Sequence, residues 1–186
     1  MEKNLKDTKE VIEKSIKALN KEDSSLLRDL SNQTIHNSSI YQDRYSLLTA
    51  YIIYSISKIV QYQKETQIDN WKKFKQDILN ALAGLNKSID NINQEFFSKK
   101  SKEIIKIIDS IDKIQSTRKG SVLEASKIKK GAMLAKHGIS LGRISSLLEI
   151  SEWDLMQYIG HTNLIDTSDK NLLVRLKNTR ELFNLK

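Results

Sequence analysis

Three histidines, His36, His137 and His161, are the chain's imidazoles, and no two stand at the i, i+4 spacing with which a helix grips zinc. There is no cysteine, which excludes disulfides, thiol nucleophiles and Cys-ligated zinc. His161 and Asp166 could be drawn as a proton-transfer pair, but a chain of this composition offers such pairs by default. Glu103, Asp109 and Asp112 alternate with Lys102, Lys106 and Lys113, the pattern of a solvated helix face. No glycine-rich loop is placed to cradle a phosphate. The residues therefore specify no enzyme, no metal and no cofactor.

What remains is charge and hydrogen bonding suited to a large anionic partner. The 31 Lys and Arg residues outnumber the 23 Asp and Glu, for a formal net charge of +8. Such a balance favours nucleic acid. From Lys119 to Arg143 basic residues dominate, with Glu124 as the single acid; from Glu149 to Asp169 there are acids and neither Lys nor Arg. Lys127, Lys129, Lys130, Lys136 and Arg143 are placed to hold phosphates of duplex DNA. The following segment would turn Ser151, Glu152, Trp153, Met156 and Gln157 toward a groove. Gln157 can pair with adenine and Glu152 can accept from cytosine, yet carboxylates near a phosphate backbone are costly and no Arg is placed to read guanine. The same face could instead dock a protein through Trp153 and Met156, or Trp153 could pack on the neighbouring helix.

These side chains need short helices to present them. Five of the six glycines fall between Gly120 and Gly160, so long helices are expected up to about Ser116 and short ones after it. Ser121-Val122-Leu123-Glu124 is a capping box opening a helix that Gly138 ends. Ser140 and Ser151 are expected to cap a second helix, Leu141 to Leu148, and a third, Glu152 to Ile159, which Gly160 closes. Ile144, Leu148, Ile150 and Leu155, with Tyr158 or Ile159, supply the shared core of two steeply crossing helices. Ser145 takes the close-approach position. Glu149 stands at the turn where glycine is usual, because a left-handed backbone disfavours a side chain.

Ile139-Ser140-Leu141-Gly142-Arg143, Leu147-Leu148-Glu149-Ile150-Ser151, Trp153 and Leu155 together resemble the helix-turn-helix of small prokaryotic antitoxin-type proteins. The resemblance covers the C-terminal module alone. It implies a DNA-binding regulator of transcription, with a protein toxin as a further partner.

The rest of the chain repeats helical periodicity. Leu5, Ile12, Ile16 and Leu19 form one stripe, and Leu26, Leu27 and Leu30 a second. The run from Tyr45 to Val60 is apolar nearly all round, as a helix at the centre of a bundle must be. Trp71, Phe74, Ile78, Leu82, Leu85, Ile89, Ile92 and Phe96 mark one seam, with Asp69 as its N-cap. Ile104, Ile105, Ile108, Ile111 and Ile114 mark another. Polar turns are expected at residues 20–24 and 99–102. The short connections favour an intramolecular core over a coiled-coil dimer. Asn171 to Leu185 reads as a basic terminal helix covering the module's core.

The expected architecture is all-α: an antiparallel helical bundle over residues 1–118, then a trihelical helix-turn-helix module with a terminal helix over 119–186. The bundle is expected to self-associate or bind a protein partner. No signal-peptide h-region is present in the first residues, and the Tyr45–Ser57 run falls short of the ~20 residues of a membrane span, so a cytoplasmic location is expected.

Overall fold

The absence of proline leaves no fixed break in a helix interior, and the fold uses that freedom. A computed structural model describes residues 2–41, 44–90, 94–115 and 121–162, and within them the chain forms eight helices and no strand. Five are long: α1 (Glu2–Asn20), α2 (Ser24–Tyr41), α3 (Arg44–Thr66), α4 (Trp71–Asp90) and α5 (Gln94–Gln115). Three are shorter: α6 (Val122–Lys136), α7 (Leu141–Leu148) and α8 (Glu152–Thr162).

The corners between α1 and α2 and between α3 and α4 are built without glycine. Between α1 and α2, Glu22 turns the chain at φ 55°, and the Asp23 carboxylate caps α2 by accepting from the Leu26 amide at 2.9 Å. Between α3 and α4, Gln67 and Asn70 adopt φ 51° and 58°. The cap of α4 is not Asp69 as expected: the carbonyl of Asn70 accepts from the Phe74 amide at 3.1 Å, so the helix starts one residue later.

The seam of α4 buries Trp71, Phe74, Ile78, Leu82, Leu85 and Ile89. Its last two expected members depart from it. Ile92 lies outside the described residues, and Phe96 belongs to α5, where it is partly exposed while the adjacent Phe97 is buried. The Phe97 ring meets Tyr45 edge-on, with centroids 4.7 Å apart. The expected turn at 99–102 is likewise interior to α5: Ser101 is buried and Lys100 pairs with Glu103 at 2.7 Å. Lys99, Lys100 and Lys102 read as a turn by their polarity, but with no Gly or Pro beside them they continue the helix.

α3 lies at the centre, packed on α1, α2, α5, α6 and α7. Every residue from Thr49 to Ser57 is buried. Two of its buried hydroxyls are satisfied locally, Ser55 donating to the Tyr51 carbonyl and Ser57 to that of Tyr54, which limits the polar cost of burial, while the Thr49 hydroxyl is buried without a partner. Ser31 of α2 donates to the Ala50 carbonyl at 2.6 Å, which lets the two helices approach closely. Each fully buried Ile or Leu contributes about 1.5–3 kcal/mol, and the apolar core is continuous from Leu5 to Ile159. No described helix is long and apolar enough to cross a membrane. The terminal helix expected at 171–185 lies outside the described residues.

Candidate interaction faces of α6, α7 and α8

The Ser121 hydroxyl accepts from the Glu124 amide at 3.3 Å, opening α6 as the capping box requires. The helix closes on His137, with Gly138 at φ 85°. There the Gly138 amide donates to Ala135 O and the Ile139 amide to Leu134 O, the paired bonds of a Schellman stop. α7 follows after Ser140, which holds the N-cap position although its hydroxyl makes no capping bond. Glu149 then takes the left-handed conformation, φ 54° and ψ 52°, and the Ile150 amide returns to the Ser145 carbonyl at 3.2 Å. Ser151 caps α8 through the Asp154 amide at 3.4 Å. Gly160 does not close α8, which continues to Thr162: with no left-handed residue there, the glycine is one more helical position.

Ile144, Leu148, Leu155 and Ile159 are buried, with Ile150 and Tyr158 half-buried beside them, as their spacing requires. The close approach is made elsewhere than expected. A Cβ on Gly131 of α6 would sit 3.0 Å from Ile144 Cγ2, 3.1 Å from Leu155 Cδ1 and 3.3 Å from Leu148 Cδ1. Ser145 instead donates its hydroxyl to the Ile150 carbonyl and ties the turn across itself. Gly131 lies at the point where α7 and α8 both press on α6.

The five cations proposed for phosphates do not form one face. Lys136 and Arg143 are exposed. Lys127 lies 3.4 Å from Glu124 on its own helix. Lys129 is half-buried, its ammonium 5.2 Å from the Tyr54 ring centroid. Lys130 is fully buried, which removes it from any phosphate-contacting surface. Its Nζ donates to Asn32 Oδ1 at 2.8 Å and stands 4.3 Å from the Tyr54 centroid. Burial, and then the neighbouring charge of Lys129, push its pKa down from 10.5 to about 7. An amine at the α6 interface with α2 and α3 is a docking element. Asn32 and Tyr54 were silent in the sequence because neither lies near Lys130 along the chain. Nearby, the rings of His36 and His137 are 5.2 Å apart across α2 and α6.

On α8, Ser151, Glu152, Trp153, Met156 and Gln157 are all exposed. Trp153 is 69% exposed and Met156 46%, so Trp153 is not packed on α6. Glu149, Glu152 and Asp154 surround them, also exposed. Among the described residues no three His, Asp or Glu side chains converge as a metal would require. Asp166, the imagined partner of His161, lies outside those residues. Comparison with protein-family models, curated proteins and solved structures gives no match.

Proposed function

We propose that this chain is a non-catalytic binding protein in which a bundle of α1 to α5 carries a helix-turn-helix module of α6 to α8, and that the module docks a protein partner through α8. Trp153 carries this reading. A tryptophan 69% exposed, with Met156 one turn along on the same face, leaves a large apolar surface in water. Tryptophan is among the residues that most often dominate binding energy at interfaces. The surrounding Glu149, Glu152 and Asp154 select a partner whose apolar pocket is rimmed by Lys or Arg. Selection of a random peptide library on the full chain tests this. Enriched peptides should combine an aliphatic or aromatic anchor with basic residues, and enrichment should vanish with Trp153→Ala. Enrichment indifferent to that substitution overturns the reading.

Duplex DNA is the second reading, as a regulator of antitoxin-like character. It is favoured by the left-handed turn at Glu149 between α7 and α8, and by the exposure of Lys136 and Arg143. The acids of α8 and the loss of Lys130 from the surface weigh against it. Anisotropy with labelled duplex across a salt series decides it: binding that weakens steeply as salt rises, and that Lys136→Glu with Arg143→Glu abolishes, would replace the first reading.

A further inference from the structure

A concavity lies between α2 and α3, lined by none of the residues of α8. It is a cavity of about 230 Å³ lined by Ser24, Ser25 and Arg28 of α2 and by Ser57, Lys58 and Gln61 of α3. No carboxylate lines it. The acids beside its lining residues are engaged: Asp23 accepts from the Leu26 amide at 2.9 Å, Asp29 lies 3.6 Å from Arg28 Nε, and Glu65 accepts from the Gln61 side-chain amide at 3.1 Å. The Ser25 hydroxyl accepts from the Arg28 guanidinium at 3.3 Å, so its own proton is left for another acceptor. Lys58 gives one of three ammonium protons to Gln61 Oε1 at 3.2 Å.

Charge beside the cavity asks for compensation. The ammonium groups of two half-buried lysines stand by the Tyr54 ring, Lys58 at 5.8 Å and Lys129 at 5.2 Å from its centroid. Among the described residues neither is in an ion pair with a carboxylate. A cavity smaller than the roughly 300–1,000 Å³ of drug-sized ligand sites suits one tetrahedral group better than a whole nucleotide.

We infer that this cavity is a binding site for a single phosphate group, held by Arg28 and Lys58 with the Ser25 hydroxyl. The inference is independent of α8 and of what docks there. Its test is amide-resolved NMR of the full chain titrated with inorganic phosphate against chloride at equal ionic strength. Phosphate should shift the amides of Ser24, Ser25, Arg28 and Lys58, and chloride should not. Arg28→Gln and Lys58→Gln should each weaken binding by roughly three- to ten-fold, as loss of one partly exposed charge-assisted bond does. Adding duplex DNA then identifies the source: reversal of the shifts assigns the site to a polynucleotide backbone, and their persistence assigns it to free phosphate or a small ester. Equal shifts with chloride, or phosphate shifts untouched by both substitutions, overturn the inference.

Discussion

Lys130 places an amine where water does not reach, and its proton is therefore coupled to folding. The folded-state pKa, near 7, lies below the ordinary 10.5 because burial disfavours the charged form. Between those two values the unfolded chain holds a proton that the folded protein lacks. Stability from this group is thus complete above pH 10.5, falls as pH drops toward 7, and is flat below it. The slope is at most about 1.4 kcal/mol per pH unit. Urea unfolding at a series of pH values should show stability relative to Lys130→Met rising from pH 7 upward; a flat difference would mean the amine is charged in the folded protein. Glu149 offers a second test. Its left-handed backbone costs roughly 1 kcal/mol that glycine avoids, so Glu149→Gly should raise Tm by about 2–4 °C for a chain of this size. The two tryptophans should behave oppositely. Trp153→Ala should move stability by less than about 0.5 kcal/mol, since little of it is buried. Trp71→Ala should cost about 3–5 kcal/mol, since Trp71 is buried and its indole N–H also donates to Glu22 at 2.9 Å. Denaturant midpoints of the two variants check both values.

Among the elements, the junction of α6, α7 and α8 is set by the missing side chain of Gly131. Its three neighbours are buried, so they have little room to give. Gly131→Val should destabilise by about 1–3 kcal/mol, more than the helix-propensity gain over glycine restores. Amide exchange should show the loss in α7 and α8 while α1 and α4 stay protected. The sequence announced this junction only in part. Ile144, Leu148, Leu155 and the caps Ser121 and Ser151 were legible because they obey local periodicity and local hydrogen bonding. Gly131 was not, since a helical glycine reads as a weak point until its neighbours are known. The division between α4 and α5 was hidden for the opposite reason: Ile89, Ile92 and Phe96 keep helical spacing, so the apolar pattern assigns to one seam residues of which Ile89 lies on α4 and Phe96 on α5. Lys130 was misplaced because charge argues for the surface, and Asn32 and Tyr54, the groups that reverse that argument, lie on other helices.

For the whole molecule, the continuous core from Leu5 to Ile159 means that α6 to α8 share their burial with α2, α3 and α5. Calorimetry should therefore find one transition, with van't Hoff and calorimetric enthalpies equal; two resolved transitions would show that the module unfolds alone. The central position of α3 also orders events in time. Its contact with α2 is near in sequence, the Ser31 to Ala50 bond spanning 19 residues, whereas Lys130 reaches Asn32 across 98. Closing the longer loop loses more chain entropy, so the α2–α3 pair should assemble first and α6 should arrive late. The chain contains no proline, so no prolyl isomerisation delays either step. The final step on the way to the native state is then the one that dehydrates an amine, and alkaline solution should hasten it by removing the proton beforehand.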